Sequence, residues 1–146
     1  MDDPYDLQRF LAAQREVYPQ ALREMRNGHK TSHWMWFVFP QIRGLGASET
    51  SRRFGISGSN EALAYLAHPT LGSRLIEIAE AALASGVSSA HDVFGFPDDM
   101  KLKSCATLFA AVTPAGSVFD RLLAHFFDGE RDERTLHLLD GSDASR

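Results

Sequence analysis

Pro69-Thr70-Leu71-Gly72-Ser73-Arg74-Leu75-Ile76-Glu77-Ile78-Ala79-Glu80-Ala81-Ala82-Leu83-Ala84-Ser85 carries the plainest periodicity in the chain. Leu71, Leu75, Ile78, Ala79 and Ala82 recur at three- and four-residue steps, which places them on one face of a helix. Pro69 suits a first helical turn, where its missing N–H has no partner to lose, and Gly86 supplies the stop. The same spacing recurs on both sides. Upstream, Leu7, Phe10, Leu11, Val17, Ala21, Leu22 and Met25 make an amphipathic helix over Tyr5–Met25, with Asn27-Gly28 as its stop. Pro19 cannot donate a backbone bond, so a kink or a break into two helices is expected near Tyr18-Pro19. Downstream, Glu61–Ala67 is helical. Asp98 can cap a helix through Met100, Leu102, Cys105, Ala106, Phe109 and Val112, and Thr113-Pro114 separates it from another through Val118, Phe119, Leu122, Leu123 and Phe126. A last helix is expected from Asp132 to Leu139.

These segments predict a mainly α protein, a single compact helical domain over residues 1–139, with strand confined to short pieces such as Phe54-Gly55-Ile56. Residues 140–146 are small and polar and predict a disordered tail. A chain of 146 residues is the size of one domain and can bury about two thirds of its unfolded surface. The net charge of −4 lacks the basic excess of a duplex nucleic-acid binder, which argues against general nucleic-acid binding. Twelve Arg against three Lys suits planar recognition of carboxylate or phosphate, and is equally a mark of GC-rich coding. Cys105 is the one cysteine, so no disulfide forms within the chain and a reducing cytoplasm is expected. It lies in an apolar run, where a packed thiol is the expectation rather than a nucleophile. Neither a signal peptide nor a membrane span is expected.

Between the first helix and the Glu61 helix lies Gly28-His29-Lys30-Thr31-Ser32-His33-Trp34-Met35-Trp36-Phe37-Val38-Phe39-Pro40-Gln41-Ile42-Arg43-Gly44-Leu45-Gly46, which holds both tryptophans in a polar, basic frame. Aromatic rings give flat apolar surface, and Lys30, His33, Gln41 and Arg43 give charge and hydrogen bonds, the ingredients of a ligand-facing wall. Trp34–Phe39 reads as strand by propensity, and as a short buried helix by a Ser32 cap and the terminating Pro40. The helix is the preferred reading. Trp34 and Phe37 then share one face and Trp36 and Phe39 another, so one tryptophan is left to line a cleft. From there to Asn60, Gly, Ser and Arg predict a long surface loop.

A second candidate is Phe94-Gly95-Phe96-Pro97-Asp98-Asp99-Met100-Lys101-Leu102-Lys103-Ser104, an aromatic turn leading into a helix start, where free N–H groups attract anions. The plain alternative is that Asp98 only caps its helix while Lys101 and Lys103 are solvated. The six histidines show no metal-ligand spacing, and His68 before Pro69 reads as a turn residue. No G-x-S-x-G elbow, P-loop or dinucleotide fingerprint is present. No metal and no cofactor is expected.

On these motifs the chain resembles the bacterial domain-of-unknown-function family 1810 (DUF1810), some of whose members carry the inherited label "calpastatin". The resemblance runs from about Asp6 to Leu139 and rests on Asp6-Leu7-Gln8-Arg9-Phe10, Gln14, the Gly28–Gly46 segment, Tyr65-Leu66-Ala67-His68-Pro69 with Leu71-Gly72-Ser73-Arg74-Leu75, and Phe94-Gly95 through Asp98, Lys101, Leu102, Ser104, Thr107, Leu108 and Phe109. Cys105 departs from the pattern, which has Ser or a small residue there. The resemblance implies a small, mainly helical cytoplasmic protein without an assigned activity. Calpain inhibition uses disordered repeats, and this chain has neither repeats nor a disorder-like composition. By a looser analogy the plan is similar to the NADAR fold, whose members act on N-glycosidic bonds of the ADP-ribose type.

Two functional expectations follow. In the first, an enzyme acts on a nucleotide-like or ADP-ribose-like substrate, as an N-glycosidase or other hydrolase. Trp34 or Trp36 stacks on a base, Lys30, Arg43 and Lys101 hold phosphate, and Asp98 is the catalytic base or stabilises an oxocarbenium ion. In the second, the same residues make a non-catalytic module that binds a small molecule or a protein. Both place Lys30, His33, Trp34, Trp36, Gln41 and Arg43 in one cleft with Asp98 and Lys101. The expected partner is an anionic nucleotide-like small molecule, neither duplex nucleic acid nor membrane.

Overall fold

A computed structural model describes residues 2–144. Among them are ten helices in the order α1 (Gln8–Gln14), α2 (Tyr18–Arg26), α3 (Met35–Val38), α4 (Glu49–Arg53), α5 (Ser59–Ala67), α6 (Leu71–Ala84), α7 (Ala90–Phe94), α8 (Asp98–Ala110), α9 (Val118–Phe127) and α10 (Glu133–Ala144). Extended pairing among these residues is one isolated parallel bridge between Ile42 and Ile56. The fold is therefore the mainly α single domain that the periodicity predicts.

The core is organised around α8, whose residues Leu102 and Ser104 through Ala110 are all buried. A helix buried on every side needs partners on every side. It packs against α5, α7, α9 and α10, while α6 packs against α2, α5 and α9. Cys105 is fully buried within α8, and burial pushes its thiol well above the ordinary range, so it behaves as a packed apolar group. The end of α5 crosses very near the start of α6, where Gly72 faces the Leu66 carbonyl. A Cβ at Gly72 would overlap that oxygen, so the crossing requires glycine.

Pro19 acts as expected. It sits in the first turn of α2, and the chain breaks between Gln14 and Tyr18 rather than running on as one helix. Gly28, at a φ of +71°, ends that region in the left-handed conformation.

Four local expectations are corrected. The 44–60 segment is not a long surface loop: it contains α4, and Phe54 and Ile56 are buried in the core. Ser48 builds α4 by accepting from the Ser51 N–H at 3.1 Å. The tail expected to be disordered is helical as far as α10 extends, to Ala144, because Ser142 Oγ donates to the Ser57 carbonyl at 2.6 Å and Ser59 Oγ to Asp143 at 2.8 Å. Residues 145 and 146 lie outside the described range. Asp98 is the first residue of α8 and makes no capping bond; the flanking position is Pro97. Ser32 likewise does not cap α3, since its hydroxyl donates to Glu24 instead.

Candidate functional site: a tryptophan and lysine cleft

The short helix α3 reaches the core through Met35 and Val38, both buried. It is tied to α1 by Gln14, a buried side chain whose Nε2 donates to the Phe37 carbonyl at 2.7 Å and to the Tyr65 hydroxyl at 3.1 Å. With one face fixed inward, Trp36 projects outward and is half-buried. Trp34, one position before the helix, turns inward and is 1 % exposed.

The loop before Trp34 is held by a residue that sequence reasoning missed. Glu24 on α2 is buried, 4 % exposed. Its carboxylate accepts from Thr31 N–H at 2.8 Å, Ser32 N–H at 3.1 Å, Ser32 Oγ at 2.5 Å, Trp34 Nε1 at 2.9 Å and Gln20 Nε2 at 2.8 Å. Burial alone would raise its pKa. The Ser32, Thr31, Gln20 and Trp34 donors outweigh that effect and hold it at about 2. Glu24 is thus a fixed anion at the centre of the loop. No sequence pattern marks it, because a glutamate between Arg23 and Met25 looks like any solvated helix position.

Lys30 leaves this loop anchored by its N–H to the Val93 carbonyl of α7 at 2.7 Å. Its ammonium meets Asp98 Oδ2 at 2.8 Å and donates to the Ser32 carbonyl at 2.5 Å. It also lies 4.9 Å from the centre of the Trp34 ring. Its side chain is only 6 % exposed, and its ammonium is held by these two oxygens and the Trp34 ring. Lys101, one turn along α8, reaches the other carboxylate oxygen, Asp98 Oδ1, at 3.1 Å and stands 4.3 Å over the Trp36 ring. Burial works against ionisation of Asp98, but the two lysines prevail and hold its carboxyl below the usual range.

These groups enclose a cavity of about 330 Å³ lined by Lys30, His33, Trp34, Trp36, Asp98 and Lys101, together with Met35, Phe37, Ser48 and Thr50. Six of the eight candidate residues therefore meet. Ser48 and Thr50, from the segment expected to be surface loop, were not anticipated. The other two candidates lie elsewhere, which corrects the expectation of a single convergent set. Gln41 is buried at 3 % exposure, and its Nε2 has no hydrogen-bond partner. Arg43 is exposed and lines a separate hollow with Ile42, Ser57, His137, Leu138, Gly141 and Ser142. The cause is the Ile42–Ile56 bridge, in which Arg43 N–H donates to the Ile56 carbonyl and Ile56 N–H to the Gln41 carbonyl, both at 2.8 Å. That pairing turns the chain after Pro40 away from the cleft.

His68 is a turn residue, its Nδ1 accepting from Thr70 N–H at 3.1 Å and Leu71 N–H at 3.2 Å. Among the described residues no group of three or more His, Cys, Asp or Glu side chains is arranged to hold a metal ion, and no helix is long and apolar enough to cross a membrane.

An all-helical domain with an indole and lysine cleft is the class defined by fold and site. The chain matches the model of the protein family of unknown function DUF1810 over residues 4–139, and it belongs to that family. It is also similar to a solved structure, the conserved hypothetical protein Rv1873 from Mycobacterium tuberculosis. The two share 49% identity and a TM-score of 0.92 over 94% of this chain and 99% of that one. No curated protein matches. Neither relative brings an activity, and the NADAR analogy gains no support from either.

Proposed function

We propose that the cleft binds an anionic, base-containing small molecule of nucleotide or ADP-ribose type in a protein of the reducing cytoplasm. The observation that carries this reading is the pairing of Trp36 with Lys101 at 4.3 Å, both lining a small cavity. An indole gives a stacking surface for a base, and an ammonium beside it gives a counter-charge for phosphate. At about 330 Å³ the cavity is at the low end of the range for small-molecule sites, about 300–1,000 Å³, which favours a ligand the size of one nucleoside phosphate, or one end of a larger molecule.

Lys30, Asp98 and Lys101 together carry one net positive charge. Asp98 stays ionised at neutral pH between two ammonium groups, so it is a poor proton acceptor. Of the two catalytic roles open to it, general-base chemistry does not fit this charge state, and the two paired lysines weaken its stabilisation of a developing oxocarbenium ion, so neither role outranks binding. Binding is the primary reading, and glycosidic-bond hydrolysis is the reaction that this carboxylate would serve.

The test is a thermal-shift screen with nucleotides, NAD, ADP-ribose and sugar phosphates, because a ligand of the native state raises its apparent stability. A saturable rise is expected for at least one phosphate-bearing nucleoside. Flat responses throughout at millimolar ligand would remove the reading. Hydrolysis is checked separately by following release of the free base, which Asp98→Asn should abolish.

A further inference from the structure

The cleft holds an acceptor that an anion cannot use. A carboxylate offers about four lone-pair positions, and Lys30 and Lys101 engage Asp98 through one contact on each oxygen. Asp98 remains partly exposed, at 18 %, and lines the cavity, so its remaining lone pairs are open to a ligand donor. Lys101, at 21 % exposure, keeps donor capacity beyond its one contact with Asp98, whereas Lys30, at 6 % exposure, has the Ser32 carbonyl as a second partner. The ligand must therefore present a donor to Asp98 and an acceptor to Lys101, a few ångströms apart.

Charge selects the type of donor. An ammonium approaching Asp98 would enter the field of two lysines already within 3.1 Å of it and would be repelled. A hydroxyl has no such penalty. Two neighbouring hydroxyls match the two oxygens of one carboxylate, and a phosphate attached to the same sugar matches Lys101.

We infer that Asp98 and Lys101 together recognise a ribosyl phosphate, Asp98 accepting from the ribose hydroxyls while Lys101 donates to the phosphate, so that the cleft distinguishes ribose from 2-deoxyribose. This rests on the nucleotide-binding reading and adds to it the sugar. Lys30 is then a positioning residue, which fixes the Asp98 carboxylate rather than touching the ligand.

The experiment is calorimetric titration of the full chain with four probes: AMP, 2′-deoxy-AMP, ribose 5-phosphate and 2-deoxyribose 5-phosphate. Each deoxy compound should bind about tenfold or more weakly than its ribose counterpart, the loss expected for one hydrogen bond to a charged acceptor. Equal binding of AMP and its deoxy form would overturn the inference and leave the nucleotide reading intact. Discrimination between the two sugar phosphates with no binding of AMP would support the inference and overturn the base-stacking reading. Failure of all four would remove both. In Asp98→Asn the preference for ribose should collapse, and a preference that persists there would contradict the role of this carboxylate. Because the wild-type series alone decides the sugar preference, a variant that fails to fold does not shield the inference.

Discussion

Trp34 and Trp36 are two residues apart in sequence and line the same cavity, yet their surroundings differ in kind. Around Trp34 the polar groups are committed to protein partners: the indole N–H, the Thr31 and Ser32 N–H groups and the Ser32 hydroxyl go to Glu24, and the Lys30 ammonium to Asp98 and Ser32. Around Trp36 the ring is half-exposed, Lys101 has donors to spare and Asp98 has open lone pairs. A saturated network holds shape, whereas unsatisfied capacity beside a cavity is what a ligand can engage. The Trp34 side is the frame and the Trp36 side is the contact surface.

Removing the anion from the frame should have the largest effect. Glu24→Ala leaves the buried Trp34 indole N–H and the part-buried Thr31 and Ser32 N–H groups without acceptors, and should cost on the order of 3–5 kcal/mol in urea unfolding. A cost below about 1 kcal/mol would mean that the loop does not depend on this carboxylate.

Acid tests the same group without mutation. The folded-state pKa of Glu24 is depressed from 4.5 to about 2, so its contribution is fully present above pH 4.5 and is lost as pH falls towards 2. That interval corresponds to about 3 kcal/mol, and the loss should be absent from the acid limb of Glu24→Gln.

The two tryptophans separate next. Trp34→Phe loses a buried hydrogen bond and ring volume and should destabilise by about 1–3 kcal/mol. Trp36→Phe should stay within about 1 kcal/mol of wild type and weaken ligand binding instead. Comparable destabilisation by both would erase the distinction between frame and surface. The smallest effect belongs to Arg43→Ala, which should leave nucleotide binding unchanged by titration, since Arg43 lines a different hollow.

Arg43 also shows where sequence stops being sufficient. The helices α2, α6, α8 and α9 are legible because their apolar spacing is local, and Pro19 and Gly28 act through their own backbones. The position of Arg43 instead follows from a bridge between Ile42 and Ile56, fourteen residues apart: Phe54-Gly55-Ile56 reads as a short extended piece, but nothing local names Ile42 as its partner. The surrounding Ser, Gly and Arg concealed α4, and with it Ser48 and Thr50 at the cleft. Asp98, Lys101, Lys30 and the tryptophans were singled out because aromatic and ionisable residues are dense there. Glu24 was not, since its role comes from a loop seven to ten residues later folding back over it. The helical end of the chain was missed for a similar reason: Ser142 and Asp143 are held by Ser57 and Ser59, contacts of more than eighty residues.

The most direct test of the central claim compares wild type with Lys101→Met by calorimetric titration of a nucleoside monophosphate, with thermal melting as control. Lys101 pairs at the surface of the cleft and contributes little to the frame, so melting should change little. Wild type should bind saturably below millimolar concentration, and Lys101→Met should bind about tenfold or more weakly. Unchanged affinity in Lys101→Met, or no saturable binding by wild type, would contradict the account.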